Sequence, residues 1–197
     1  GGLVGARLWY VAQHTHDLSD DFVGTLFGGS GLVWYGGAIG GAVAVLGWAA
    51  RKHMVNLALL DLCAPALALG YAAGRVGCQV SGDGDYGEPW DGPWAMADPD
   101  GAVPTDVKVH PTPIYESLAM GLAALVLWRL RDRLAPGRLF ALYLVIAGVE
   151  RFLVEFIRRN ADAWIGLTAA QLVSVVMFAA GAVWWARSAR TARRSLA

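Results

Sequence analysis

The 197-residue chain is 56% hydrophobic and only 16% charged, and its mean hydropathy is +0.43. That balance excludes an ordinary soluble domain, so part of the solvent must be lipid. The formal net charge is zero and no basic nucleic-acid footprint appears, so nucleic acid is not expected as a partner.

The first residues, from Gly1 to Gln13, carry no initiator Met, basic n-region or cleavage site. They read as the end of a helix cut mid-span rather than as a signal peptide, and the chain as a fragment without its first helix. Five apolar stretches then follow that are long enough to cross a hydrocarbon core: Gly31–Ala50, Met54–Gly74, Pro113–Trp128, Leu139–Ile157 and Gly166–Ala186. The expected fold class is therefore all-α, a polytopic transmembrane bundle of five complete spans plus one partial span. With no internal repeat or low-complexity linker, residues 1–197 read as one membrane domain.

Arg51-Lys52, then Arg129, Arg131, Arg133 and Arg138, then Arg187, Arg190, Arg193 and Arg194 occupy alternate connections and make up ten of the sixteen basic residues. The positive-inside rule makes those connections and the C-terminus cytoplasmic. Residues 14–30, 78–112 and the Arg158–Ile165 link then face outward. Segment 78–112 holds seven acidic residues with several Gly and Pro and is too long for a simple connector, so an ordered outward-facing lid is expected.

Along the chain, Gly36-Gly37-Ala38-Ile39-Gly40-Gly41 contains two overlapping GxxxG spacings, which suit close helix packing in lipid. The second complete span ends in Gly74-Arg75-Val76-Gly77-Cys78, followed by Gln79-Val80-Ser81-Gly82-Asp83-Gly84-Asp85-Tyr86-Gly87. An Arg at a helix end followed by a glycine-rich turn can surround an anion with a guanidinium and backbone N–H groups, and phosphate is the obvious anion at head-group depth. An Arg snorkelling to the interface is the simpler alternative. Cys78 is either a nucleophile activated by Arg75 or a small thiol that merely fits. Cys63 and Cys78 are too far apart along a helix for a disulfide.

His110-Pro111-Thr112-Pro113-Ile114-Tyr115-Glu116 brings His, Tyr and Glu to the outer interface together, where a proton could move. Asp61, Glu150 and Arg7 are further ionisable groups within apolar stretches, each a candidate for function or for an internal partner. Arg151, Glu155 and Arg158 or Arg159 recur at i, i+4 and i+7 or i+8, which places them on one helix face. A self-satisfied Arg151–Glu155 pair that only joins helices is the alternative reading. His14-Thr15-His16 offers too few metal ligands, and Asp83-Gly84-Asp85 has Trp94 where a calcium loop needs Glu, so no metal is expected.

Five motifs in order carry a resemblance: Gly31-Leu32-Val33-Trp34-Tyr35-Gly36-Gly37, Gly74-Arg75-Val76-Gly77, His110-Pro111-Thr112-Pro113-Ile114-Tyr115-Glu116, Arg151-Phe152-Leu153-Val154-Glu155-Phe156-Ile157-Arg158 and Gly166-Leu167-Thr168. From the first residues to about Ala186 the chain resembles the prolipoprotein diacylglyceryl transferase family. The resemblance implies a bacterial plasma-membrane enzyme whose site opens to the outer leaflet. It would move the diacylglyceryl group of phosphatidylglycerol to a lipobox cysteine of an exported preprotein, with no cofactor. It implies a catalytic set of Arg75, Arg151, Tyr35 and Glu155. Gly36, Gly37, Cys78, Ser81, Asp83, Gly87, His110, Tyr115 and Glu116 would line the substrates. Tyr35 stands where some members carry His, and Cys78 and Ser81 stand where the family pattern has Asn. A non-catalytic phospholipid-binding or translocating protein, or a transferase with another acceptor, also needs an outward anion site.

Overall fold

Helix-forming apolar runs dominate the computed structural model, which describes residues 1–15, 33–160, 162–164 and 166–194. The described residues form six α-helices: α1 (Gly2–Gln13), α2 (Trp34–Arg51), α3 (Leu57–Ser81), α4 (Thr112–Leu130), α5 (Arg138–Val154) and α6 (Ala169–Arg194). Two small antiparallel hairpins accompany them, β1 (Met96–Asp98) with β2 (Thr105–Val109), and β3 (Asp162–Trp164) with β4 (Leu167–Thr168). Three stretches, Leu57–Ser81, Thr112–Leu130 and Ala169–Ser188, are long and apolar enough to cross a membrane. The molecule is a helical membrane protein. Most of the 14–30 connection and the start of the expected Gly31–Ala50 span lie outside the described residues.

Two compact units emerge, Gly1–Asn56 and Leu57–Ala197. In the first, α1 and α2 run antiparallel, with Gly5 against Gly36 and Gly40, and Gly1 against Gly40 and Ala44. A Cβ on Gly40 would lie 2.7 Å from the Gly1 carbonyl oxygen and 2.8 Å from the Gly5 Cα, so no larger residue fits without separating the helices. The GxxxG spacing thus serves helix packing, as its small residues suggest for a lipid solvent. Gly36 belongs to that crossing, and a Cβ added to Gly37 would make only ordinary contact with Ala6 and Gly2.

In the second unit α4 packs on α3 and α5, and α5 packs on α6. Ala64, Ala68 and Ala72 of α3 form a small-residue stripe at every fourth position. They meet Met120, Ala123, Ala124 and Leu127 of α4, with Leu139 and Ala147 of α5 closing the core. Between α5 and α6 the approach is tight: a Cβ on Gly148 would lie 2.8 Å from the Ser174 carbonyl oxygen, and one on Gly181 2.7 Å from that of Ala141.

The expected end of the second complete span is corrected by α3. Gly74 and Gly77 are helical, and the helix runs through Arg75 and Cys78 to Ser81. Glycine within a helix costs roughly 1 kcal/mol and does not break it; the break comes at Gly82, where φ is +58°. The backbone N–H groups of residues 75–81 are therefore committed to the helix rather than free to wrap an anion.

Asp61, one of the intramembrane charges in the sequence, has a structural partner. Its carboxylate accepts the Gly137 N–H at 2.6 Å and the Phe140 N–H at 2.9 Å, capping the N-terminus of α5 from a neighbouring helix. Asp61→Ala should lower stability by about 1–2 kcal/mol, the range for losing a cap with its favourable dipole contact. Thermal unfolding in detergent reads this, and an unchanged midpoint would show the cap to be dispensable.

Candidate functional site

At one end of the second unit α3 ends, α4 begins, α5 ends and α6 begins, and four polar sequence segments meet there. Pro111 and Pro113 bracket Thr112 at the start of α4, where proline is compatible with the first turn. The Thr112 hydroxyl donates to the Asp85 carbonyl oxygen at 2.6 Å, fixing the incoming segment. One turn into α4, Glu116 is fully buried.

Glu116 is the hub of an ion cluster. Its carboxylate takes the Arg75 Nε, the Arg158 Nη1 at 2.7 Å and the Tyr71 hydroxyl at 2.7 Å, and Arg151 Nη1 stands 3.6 Å away. Asp85 bridges two arginines, one oxygen to Arg75 Nη1 and the other to Arg158 Nη2. Burial alone would raise the Asp85 carboxyl, but Arg158 and Arg75 outweigh it and hold it below the ordinary carboxylate range. Glu155, also buried, faces Arg151 Nη2 at 2.8 Å and accepts from Asn160 Nδ2 at 2.6 Å and the Thr168 hydroxyl at 2.7 Å. Three guanidiniums thus meet three carboxylates, the arrangement that lets charges lie at membrane depth.

Local structure explains how Arg158 joins. After Val154 the helix tightens into a 3₁₀ turn, Glu155–Ile157, and Arg158 adopts extended backbone with φ −86° and ψ 153°. Its side chain is thereby turned into the cluster, whereas Arg159 is exposed. Thr168 is held in turn by a reciprocal cap on α6: its N–H donates to Gln171 Oε1 at 3.0 Å, and the Gln171 N–H donates to its hydroxyl at 3.2 Å.

The 82–111 segment is tied to this cluster through backbone. The Glu88 N–H donates to the Ile157 carbonyl at 2.8 Å and the Gly87 N–H to that of His110 at 2.9 Å. Gly87 leaves no room for a side chain, since an added Cβ would lie 2.7 Å from the His110 Cβ and 2.9 Å from Thr112 Cγ2. His110 stacks on Trp90 with ring centroids 4.3 Å apart, and its Nδ1 lies 3.3 Å from the Tyr115 hydroxyl. That hydroxyl also accepts from Trp94 Nε1 at 2.7 Å. The expected His–Tyr–Glu grouping is therefore divided: His110 and Tyr115 join an aromatic set, and Glu116 points into the ion cluster.

Of the other expected residues, Arg75, Arg151, Glu155 and Glu116 are brought together. Cys78 sits beside them, its Sγ 3.8 Å from Arg75 Nη1, on the last turns of α3 and not at a helix N-terminus. Ser81 and Asp83 are exposed; the Ser81 hydroxyl bonds the Cys78 carbonyl and Asp83 accepts the Asp85 N–H at 3.2 Å. Tyr35, Gly36 and Gly37 lie in α2 of the other unit. Sequence reasoning left Tyr71, Asp85, Asn160 and Thr168 without a site role and did not separate Arg158 from Arg159. Cys78, Asp83 and Asp85 hold their ligand atoms within 4.8 Å of one another, but both Asp85 oxygens already serve arginines, and two guanidiniums alongside oppose a cation.

Beside the cluster, between α4 and α5, lies a cavity of about 530 Å³ lined by Ala119, Val145, Ile146, Val149, Leu153 and Val154 among others, with Glu116 and Glu150 as its carboxyl groups. Val149 and Leu153 are well exposed, so the cavity opens on the flank of the unit. An apolar flank opening next to arginines can take an amphiphile with an anionic head group.

The family model described as prolipoprotein diacylglyceryl transferase matches residues 1–187. A phosphatidylglycerol--prolipoprotein diacylglyceryl transferase of Clostridium tetani (strain Massachusetts / E88) is 37% identical over 160 residues, 80% of this chain and 64% of that protein. The proteins of the same name from Pseudomonas putida (strain F1) and Bordetella bronchiseptica (strain RB50) are 33% and 34% identical over 94% and 98% of the chain, which covers 73% and 76% of their lengths. With the match running through every segment that builds the ion cluster, the chain belongs to the prolipoprotein diacylglyceryl transferase family.

Proposed function

We propose that this protein transfers the diacylglyceryl group of phosphatidylglycerol to the thiol of a lipobox cysteine in an exported preprotein, forming a thioether and releasing glycerol phosphate. The observation that carries the reading is the gathering of Arg75, Arg151 and Arg158 on Glu116, a carboxylate that also lines the apolar cavity, in a chain of this family. The thiol sulfur bonds to the glyceryl carbon, the carbon–oxygen bond to phosphate breaks, and charge grows on the departing phosphate. Guanidiniums placed there lower the barrier by holding that charge.

Arg151 is the readiest to receive the phosphate, because its Nη1 is buried without a hydrogen-bond partner. Arg75 would join by giving up Asp85, the most exposed carboxylate of the cluster at 31%. Glu155 orients Arg151, and Glu116 orients Arg75. Cys78, Ser81, Asp83, Gly87, His110 and Tyr115 form the rim. No cofactor or metal enters this scheme.

Residues 1–197 act as one transferase domain of a bacterial plasma membrane, with five complete spans and one partial. Segment 78–112 is an outward lid, the site opens to the outer leaflet, and the C-terminus is cytoplasmic. Supporting this, Arg129, Arg131, Arg133, Arg138 and Arg187 lie at the end of the second unit opposite the ion cluster. Alkaline phosphatase fused after Asp100 should be active and fused after Arg187 inactive; the reverse pattern would invert the topology.

The deciding experiment incubates the protein in phosphatidylglycerol bilayers with a cysteine-containing lipobox peptide and labelled lipid. Labelled thioether and free glycerol phosphate are expected. Lipid retained without product would instead mark a binding or translocating protein.

A further inference from the structure

Resting on the transferase reading, we propose that Glu150 accepts the proton of the attacking thiol. The cavity between α4 and α5 has two carboxyl groups in its lining, Glu116 and Glu150. Glu116 is fully engaged with Arg75, Arg158 and Tyr71. The Glu150 Oε1 is buried and has no hydrogen-bond partner, and no guanidinium lies within ion-pair distance of this side chain among the described residues. The three arginines and the carboxylates of Asp85, Glu116 and Glu155 already balance one another, so Glu150 is not needed for neutrality.

A buried carboxyl oxygen without a partner is a standing cost to the fold, and it is met by a group that arrives with the substrate. Charged and titratable neighbours come from every side: Tyr71 and Arg75 of α3, Tyr115 and Glu116 of α4, Arg151 on its own helix and Arg158 beyond it. All but Glu150 are hydrogen-bonded or ion-paired in the structure. The surrounding lining, Ala119, Val145, Ile146, Val149 and Leu153, is apolar, and it suits an acceptor thiol delivered on an apolar segment through the flank opening.

In the step, the thiol proton passes to a Glu150 oxygen and the sulfur electron pair forms the bond to the glyceryl carbon. The carbon–oxygen bond breaks with its electrons on the phosphate oxygen. The proton on Glu150 then passes to the leaving glycerol phosphate, restoring the carboxylate.

The test compares wild type, E150Q and E150D on two lipobox peptides, one with cysteine and one with selenocysteine, whose selenol ionises without help. With cysteine, E150Q should lose about a hundredfold or more in kcat at unchanged KM for phosphatidylglycerol, and E150D should recover part of it. With selenocysteine, E150Q should come within a few-fold of wild type, an outcome a damaged fold would not give. Equal loss on both peptides, or wild-type kcat on cysteine, would overturn the role of Glu150 alone. Absence of product from wild type on either peptide would overturn the transferase reading and this role with it.

Discussion

Replacing Glu116 with alanine is expected to cost about 3–5 kcal/mol of stability, the range for removing one partner from a buried ion pair. Glu116 has no exposed surface and serves Arg75, Arg158 and Tyr71 at once. Without it, three guanidiniums share Asp85 and Glu155, and one positive charge is left without a counter-charge. Glu116→Gln keeps an acceptor oxygen and the shape but not the charge, so it should fall between alanine and wild type. Unfolding in detergent with increasing denaturant reads the series. An alanine variant within about 0.5 kcal/mol of wild type, the usual span of a neutral surface change, would mean the cluster is not a stabilising hub.

Arg151 is expected to show the opposite pattern, with a large effect on rate and a small one on stability. It has one close ion pair, with Glu155 at 2.8 Å, keeps 23% of its side chain exposed, and leaves Nη1 without a hydrogen bond. Arg151→Ala should reduce kcat/KM for phosphatidylglycerol by about 10²–10³-fold, the effect of removing one donor to a developing oxyanion. Lysine retains the charge but loses the planar fork that suits phosphate, and should restore part of the rate. Turnover assays on detergent-solubilised variants with matched unfolding curves separate the two effects. Wild-type turnover in Arg151→Ala would remove this residue from the mechanism.

The sequence made part of this site readable because charges inside apolar stretches are few and costly. Arg75, Glu116, Arg151 and Glu155 could each be named from that rule, and the structure joins them. Arg158 was ambiguous with Arg159, since both fit a continued helix. Only the 3₁₀ turn after Val154 decides between them, and no residue in Glu155-Phe156-Ile157 announces such a turn. Asp85 sits in an acidic, glycine-rich run with Asp83, and the inward one is chosen by the positive φ at Gly82 and Gly84. α3 runs past its expected end because glycine within a helix costs too little to stop it. The hairpins are not legible in the sequence, because strands of two to five residues carry too little alternation. Asp61 shows its cost in the sequence, but its partners, Gly137 and Phe140, lie 76 and 79 residues further on, where no local pattern reaches.

The ion cluster is assembled from sequence separations of 3 to 73 residues, and this sets an order on its biogenesis. As the chain leaves the ribosome, Arg75 and Glu116 enter the bilayer first, on α3 and α4. They meet each other as an ion pair, with the Tyr71 hydroxyl completing the contact and Asp85 adding a second carboxylate to Arg75, so the α3–α4 hairpin brings the arginine in with its counter-charge. Arg151, Glu155 and Arg158 arrive later as a second group with its own carboxylate, and α6 brings Thr168 last to hold Glu155. Each newly synthesised hairpin therefore carries most of its own counter-charge into lipid, and the translocation machinery never has to release an isolated arginine into hydrocarbon.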